Sequence, residues 1–330
     1  MHPSTVSRVL NARTRHLVSL AVADHVTAAA RRMGYTPDPA AAGLRTRRTH
    51  TVGILIPDIA NPFFPPILRG IESVLTEAGY TAISANTDND ADRARDALDR
   101  FAARRVDGLV LATAVRGEPL LARLRALGVP AVLVNRTVGA GGIPAVLSDD
   151  AAGIGLAVNH LADLGHAAIG HVAGPQRYST GAARRAGFHT ALKARGLPAR
   201  RESIVSARSY EIAAGARAAR TLLDAFPKLT AIVAANDLLA LGCYDELKRR
   251  RLACPRDVSV TGFNDMPFAD RFAPPLTTVR VPHRMMGGEA ARLLLEAIAN
   301  PGTPAREIRL APELVVRGST APPARRSLKG

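Results

Sequence analysis

The chain has 330 residues, of which 47% are hydrophobic and 22% charged. This length allows two or more domains with cores of their own, and the composition is that of an ordinary globular protein. The chain has only two cysteines, Cys243 and Cys254, which excludes a disulfide-stapled scaffold and a four-thiolate metal site. The lack of an uninterrupted apolar run near ~18 residues argues against a membrane span. A cytoplasmic location fits this cysteine usage.

Positive charge is concentrated near the N-terminus. The formal net charge is +16, and residues 1–50 hold eight arginines against two acidic residues. A segment that faces DNA needs such a density of positive charge, because it must neutralise phosphates. However, arginine and alanine are abundant throughout, as a GC-rich coding sequence would also produce, so net charge alone leaves a nucleic-acid partner open.

The first 50 residues show helical patterns and no strand pattern. We predict helices over Thr5–Asn11, over Leu20–Met33 behind an N-cap at Ser19, and over Pro39–Arg45. A polar, basic linker at residues 45–49 then leads into the first strand.

From Val52 onward, short β-rich apolar runs alternate with helical patterns, which is typical of βα units wound into mostly parallel sheets. Two such sets meet near Ser148 and predict two α/β lobes. A ligand is expected between them, at the carboxyl ends of the strands. The predicted strands are 52–56, 81–84, 108–112, 131–135, 168–173, 231–235 and 258–263. The predicted helices are 65–78, 91–104, 119–127, 152–164, 181–195, 211–225 and 238–250.

Several short motifs identify a family. Ser4-Thr-Val-Ser-Arg-Val-Leu-Asn11 is followed by Gly34-Tyr-Thr-Pro-Asp38 and by Ala40-Ala-Ala-Gly-Leu44. With these motifs, and with further blocks along nearly the whole chain, the sequence resembles the LacI/GalR family of bacterial transcription regulators. The further blocks are Asn61-Pro-Phe-Phe64, Arg105-Val-Asp-Gly108, Leu164-Gly-His166, Arg184-Arg-Ala-Gly-Phe188, Ala235-Asn-Asp-Leu-Leu-Ala-Leu-Gly242, Gly262-Phe-Asn-Asp265 and Pro274-Pro-Leu-Thr-Thr278.

The resemblance implies a domain order and a mode of action. A small all-α helix-turn-helix and a hinge helix would precede a two-lobed core like that of periplasmic sugar-binding proteins. The protein would act as a homodimer on double-stranded, pseudo-palindromic operator DNA, with no cofactor, and most often as a repressor. The implied domains are 1–36 (partial helix-turn-helix), 37–50 (hinge helix and linker), 51–320 (core; first lobe about 51–148 plus 279–309, second about 149–278 plus 310–320) and 321–330 (tail).

The head carries the candidate DNA contacts. In a helix-turn-helix the second helix lies in the major groove, where short hydroxyls suit phosphates and the fork of Arg8 suits a guanine edge. The resemblance makes Leu44 a wedge in the minor groove. A capped surface helix and a plain alanine-rich linker are the alternatives. The expected DNA-binding residues are Ser4, Thr5, Ser7, Arg8, Asn11, Leu44 and Arg45.

The resemblance also raises an expectation about the start of the chain. Family heads begin with a helix upstream of the Thr-Val-Ser-Arg segment, whereas this sequence starts at Met1, inside the turn. We expect the reading frame to extend upstream, and a chain without the first helix is the alternative. The hinge helix, at about seven residues, is too short to persist alone. It is expected to form only with operator and partner subunit present.

The cleft is expected to hold a small effector, a sugar or a derivative. An aromatic pair at its mouth can stack on a sugar, although adjacent aromatics are more often core residues. Asn135 and Asn264 stand where many family members carry aspartate. Because an amide both donates and accepts, these replacements could suit an effector with negative charge. Asp237 is expected to cap the following helix. The expected effector-binding residues are Phe63, Phe64, Asn135, Arg136, Arg184, Asn236 and Asn264.

Two other functions compete with this interpretation. A secreted solute-binding protein has the same core, and Leu17–Ala23 behind two arginines imitates a short signal peptide, but the head motifs would then be unexplained. An enzyme is not supported. His160, His166 and His171 lack the spacing of a metal-binding pair on one helix, and neither a phosphate-binding glycine loop nor a nucleophile elbow is present.

Overall fold

The structure is a computed structural model that describes residues 2–10, 14–35, 48–117, 120–139 and 142–324. The chain divides into two compact units, residues 1–50 and 51–330. Within the described ranges, every helix is too short or too polar to span a bilayer.

The first unit is helical, as predicted. Helix α1 (Pro3–Leu10) and helix α2 (Leu20–Arg32) pack together through Val9, Ala23 and Val26. Helix α1 begins two residues earlier than predicted, because proline suits the first helical position and His2 Nδ1 accepts a hydrogen bond from the Ser4 N–H. The predicted hinge helix at residues 39–45 lies outside the described residues.

The second unit contains two six-stranded sheets, each mostly parallel. The strands are β1 Thr51–Ile56, β2 Thr81–Asn86, β3 Gly108–Leu111, β4 Ala131–Val134, β5 Ala145–Ser148, β6 Ile169–Ala173, β7 Ile204–Ser206, β8 Ala231–Ala234, β9 Ser259–Asn264, β10 Thr277–Arg280, β11 Glu307–Leu310 and β12 Glu313–Val315. The first sheet has the order β11-β5-β4-β3-β1-β2 and the second β12-β10-β9-β8-β6-β7, with only the described pair β10–β12 antiparallel.

Helices cover both faces of each sheet, so the central strands are buried along their whole length. This arrangement confirms the predicted fold class of two α/β lobes. The helices are α3 Phe64–Glu77, α4 Ala91–Ala103, α5 Leu120–Leu127, α6 Asp150–Asp163, α7 Ser179–Ala194, α8 Ile212–Ala225, α9 Asp237–Arg249 and α10 His283–Ala299.

The structure adds elements that were not predicted. These are the short strands β5, β7, β10, β11 and β12 and the helix α10. Strand β10 belongs to the second sheet up to Arg280, although the first-lobe segment was predicted to begin at residue 279. The first residue of the predicted tail is bonded to the second lobe, because the Ala321 carbonyl accepts hydrogen bonds from His166 and Ser259.

The chain passes between the two sheets three times. It crosses after β5, after β10 and after β11. Each lobe is therefore built from segments that are distant in the sequence.

Candidate functional site

Helix α1 presents the predicted DNA-contacting side chains on one face. Ser4, Ser7 and Arg8 are exposed and Thr5 is half-buried, while Val9 points into the contact with α2. This separation follows the helical repeat, since residues three and four apart share a face. The exposed face thus carries hydroxyls and a guanidinium, which can donate hydrogen bonds to phosphates and base edges.

The rest of the predicted DNA-binding set is outside the described residues. Asn11, Leu44 and Arg45 belong to this group, and with them the proposed minor-groove wedge. In the described part of the head, Thr14 Oγ1 donates a hydrogen bond to the Arg8 carbonyl at 3.0 Å, which satisfies a carbonyl of the last turn of α1.

A cavity in the second unit collects all seven residues predicted to bind the effector. The cavity is partly open to solvent. The lining residues are Asn61, Phe63, Phe64, Asn135, Arg136, Thr180, Arg184, Tyr210, Asn236 and Asn264.

Strand ends position most of these side chains. Asn135 follows β4, Asn236 follows β8, and Asn264 ends β9. The carboxyl ends of parallel strands meet at one edge of each sheet, so residues from distant parts of the sequence converge. Asn135 and Asn264 have positive φ angles of 65° and 114°, a conformation that asparagine tolerates better than branched residues.

Arg184 is held in the cavity wall by the protein itself. Its Nε donates to Asp150 Oδ1 at 2.8 Å, and one Nη donates to the Ala235 carbonyl at 2.6 Å. The guanidinium lies 3.8 Å from the ring centroid of Phe263. Burial raises the pKa of Asp150, and the charge of Arg184 counteracts this rise. The positive charge of Arg184 is therefore balanced before any ligand arrives.

Arg136 is buried without such a partner. Its guanidinium lies 3.7 Å from the Tyr178 ring centroid, Nη1 reaches Asn89 Oδ1 only at 3.4 Å, and Nε has no hydrogen-bond partner. The residue is 5% exposed, and among the described ion pairs none involves it. Burial lowers the pKa of Arg136, but a guanidinium stays charged at neutral pH. Its desolvation costs several kcal/mol, of which a cation–π contact offsets about 2 kcal/mol.

Aromatic rings line the same cavity. Phe63 and Phe64 are both 4% exposed and meet edge to face at 5.1 Å. Phe63 also meets His283 edge to face at 4.7 Å, and burial lowers the pKa of His283 to about 4. These phenylalanines belong to the core and to the cavity lining at once, and their stacking on a bound sugar stays a prediction.

The expectation that Asp237 caps helix α9 is wrong. The N-cap is Asn236, whose Oδ1 accepts a hydrogen bond from the Leu239 N–H at 2.9 Å. Asp237 is instead the first helical residue and turns inward, where it accepts hydrogen bonds from the Thr278 hydroxyl and the Met266 N–H. The inward carboxylate links α9 to two neighbouring segments.

Sequence patterns missed three lining residues. Asn61 belongs to a motif of the family resemblance but was not among the expected effector-binding residues. No sequence motif pointed to Thr180 or Tyr210 as lining residues. Tyr210 lies in the loop after β7, a strand too short to predict, and its hydroxyl is 3.2 Å from Thr180 Oγ1. Burial raises the pKa of Tyr210, which keeps the phenol neutral as a donor and acceptor.

The three histidines considered as metal ligands bond to structural partners. His160 Nε2 lies 2.9 Å from Thr320 Oγ1, His166 lies 2.9 Å from Thr230 Oγ1, and His171 Nδ1 lies 2.7 Å from the Val233 carbonyl. Within the described ranges, no cluster of three or more His, Cys, Asp or Glu side chains could hold a metal ion.

One loop joins the two lobes beside the cavity. Tyr178, at the start of α7, donates a hydrogen bond to Asn89 Oδ1 at 3.0 Å, and Ser179 Oγ accepts one from the Thr137 N–H at 2.9 Å. Asn89 and Thr137 belong to the first lobe, and Tyr178 and Ser179 to the second. The cavity thus lies between lobes that contact each other, and a bound molecule would touch both.

Comparison with known proteins gives the family. Residues 158–320 match the model of a periplasmic binding protein-like domain. The HTH-type transcriptional regulator MalR of Streptomyces coelicolor is 36% identical over 326 residues, which cover 96% of this chain and 93% of that protein.

Solved structures to which the chain is similar are also those of transcriptional regulators. The transcriptional regulator CelR in complex with cellobiose matches with a TM-score of 0.78 and 31% identity, covering 97% of this chain and 96% of that one. The lac repressor dimer bound to operator and the anti-inducer ONPF matches with a TM-score of 0.85 and 25% identity, covering 96% and 95%. These matches do not favour a secreted solute-binding protein. The chain belongs to the LacI family of transcriptional regulators.

Proposed function

We propose that this regulator is a cytoplasmic repressor that binds operator DNA as a homodimer and is controlled by a small effector in the cavity between its lobes. The observation that carries this proposal is the convergence of all seven predicted effector-binding residues on one cavity. Exposed Ser4, Ser7 and Arg8 on α1 supply contacts to DNA, with Thr5 beside them. The lac repressor structure, a dimer bound to operator, supports the dimer and the DNA partner.

Control requires that effector and DNA each change the affinity of the protein for the other. A coupling free energy of about 1 to 3 kcal/mol suffices, and it must be the same in both directions. The bridge from Tyr178 and Ser179 to the first lobe offers a route, because a ligand that touches both lobes favours one relative position of them. The CelR–cellobiose complex supports a carbohydrate as the class of effector.

The test is a titration of DNA fragments from upstream of the gene and of its neighbouring genes with the full-length protein. We expect specific binding to at least one fragment, and a shift of about 5- to 150-fold in its affinity on addition of an effector found by a thermal-shift screen of sugars and their derivatives. Failure to bind any fragment at any salt concentration would contradict the proposal.

A further inference from the structure

We propose that the effector is a polyol with one carboxylate group, and that Arg136 binds this carboxylate. The inference rests on the proposed function, since it names the class of molecule that enters the same cavity.

The charges around the cavity support an anion. Of the ten lining residues only Arg136 and Arg184 are charged. Arg184 is neutralised by Asp150, with its Nη2 2.7 Å from the carboxylate oxygen. The charge of Arg136 has no counterpart among the described carboxylates, so the cavity wall carries one excess positive charge. A neutral sugar would leave that charge buried and uncompensated.

The shape of the unsatisfied group favours a carboxylate. Nε of Arg136 is buried without an acceptor, although the face of the guanidinium is already covered by Tyr178. An open edge of a guanidinium, with its N–H groups in one plane, matches the two oxygens of a carboxylate. A phosphate ester carries about −1.5 to −2 charges, more than the single positive charge available.

The remaining lining residues suit hydroxyl groups. Asn264 Oδ1 is buried without a donor, and Thr180 and Tyr210 present hydroxyls on the same cavity. Amides and hydroxyls both donate and accept, as sugar hydroxyls do. The ring of Phe63 lies beside them and can contact the apolar face of a pyranose or furanose.

Isothermal titration calorimetry of the full chain tests the proposal. The probes are glucuronate, galacturonate and gluconate, their neutral counterparts glucose and galactose, and glucose 6-phosphate. We expect at least one acid to bind about tenfold or more tightly than its neutral counterpart and than the phosphate ester. The Arg136→Gln variant should lose about tenfold or more in affinity for that acid and change little toward the neutral sugar.

Two further variants separate the loss of a carboxylate contact from a loss of the folded structure. Arg136→Lys keeps the charge but not the planar fork, so we expect it to retain part of the preference for the acid. Arg185→Gln removes the same charge from an exposed position next to Arg184 and should leave every affinity unchanged. Thermal unfolding of each variant reports whether it is folded.

Three results would overturn the proposal: tighter binding of a neutral sugar or of the phosphate ester, an acid preference that survives Arg136→Gln, or no binding of any acid. The promoter titration with the same protein separates these failures from a failure of the proposed function. A protein that binds its operator and responds to a neutral sugar refutes only the carboxylate. A protein that binds no operator refutes the proposed function, whatever the calorimetry gives.

Discussion

At the scale of single residues, Asp237 is a carboxylate buried away from water. It is 1% exposed, and its oxygens accept hydrogen bonds from the Thr278 hydroxyl at 2.5 Å and the Met266 N–H at 2.8 Å. Burial raises its pKa to about 7, although both hydrogen bonds oppose the rise. The folded protein therefore holds a proton on Asp237 that the unfolded chain releases near pH 4.

This difference predicts a pH dependence of stability. Between about pH 4 and pH 7 the folded state binds the extra proton, so the contribution of Asp237 to the free energy of unfolding falls as the pH rises, by about 2 to 3 kcal/mol from pH 5 to pH 8. Asp237→Asn removes the titration. Urea unfolding from pH 5 to pH 8 should show that the wild type loses more stability than this variant. Asp245→Asn, exposed on the same helix, should follow the wild type, and parallel profiles for all three would contradict the prediction.

At the scale of elements, the crossing of helices α3 and α10 depends on two glycines. A Cβ atom on Gly70 would overlap the Arg284 carbonyl, and one on Gly287 would overlap the Ile67 carbonyl. The two backbones therefore approach more closely than any side chain would permit. This contact attaches α10, which follows the last crossing from the second sheet, to the first lobe.

We expect Gly70→Ala to destabilise the protein by about 1 to 3 kcal/mol, because the helices must separate. Gly155→Ala is the matched control, since this glycine also lies inside a helix but has no atom within 4 Å of the place that an added methyl group would occupy. There the gain in helix propensity should stabilise the protein by about 0.5 to 1 kcal/mol. The thermal midpoints of both variants measure this, and a Gly70→Ala midpoint at or above that of the wild type would contradict the close-approach explanation.

Helix α10 also shows where prediction from sequence patterns fails. Helices and strands with a clear repeat, such as Thr51–Ile56 and Leu20–Arg32, were predicted within one or two residues. Helix α10 was not predicted because Gly287 and Gly288, which are poor helix formers, lie inside it. Gly287 is needed there for the close contact with α3. Strands of three or four residues, such as Ile204–Ser206, are too short to show a period at all.

The candidate site was predictable to a similar degree. Residues inside family motifs, such as Asn236 and Arg184, converge on the cavity as expected. The pairing of Arg184 with Asp150 and the isolation of Arg136 depend on contacts between distant segments, which no local pattern contains. For this reason the balance of charge in the cavity could only be read from the structure.

At the scale of the whole molecule, positive charge is unevenly distributed. Eight arginines against two acidic residues give the first 50 residues a net charge of +6, whereas the other 280 residues carry the remaining +10, so the net charge per residue is about three times higher in the first unit. Binding to DNA by such a unit releases counterions, so its affinity must fall steeply with salt. Loss of an arginine that contacts a base edge lowers the preference for the operator sequence. Loss of an arginine that contacts only phosphate weakens binding to all DNA sequences about equally.

We predict that Arg8, exposed on α1, reads a base edge. Arg8→Gln should weaken binding to the operator by about 1 to 3 kcal/mol and reduce the preference for operator over unrelated DNA. Arg271→Gln, an exposed arginine in the second unit with a side chain 80% exposed, should change neither quantity. Fluorescence anisotropy with operator and scrambled duplexes over a range of salt concentrations measures both. Equal weakening on the two duplexes would assign Arg8 to the phosphates.

The triple passage of the chain between the sheets also governs how the protein can be made. The edge strand Glu307–Leu310 closes one sheet and Glu313–Val315 closes the other, both within the last tenth of the sequence. A ribosome must therefore translate past residue 310 before the first sheet has all its strands, and past residue 315 before the second sheet has them. Neither lobe corresponds to a contiguous gene fragment, so the two lobes are completed almost together.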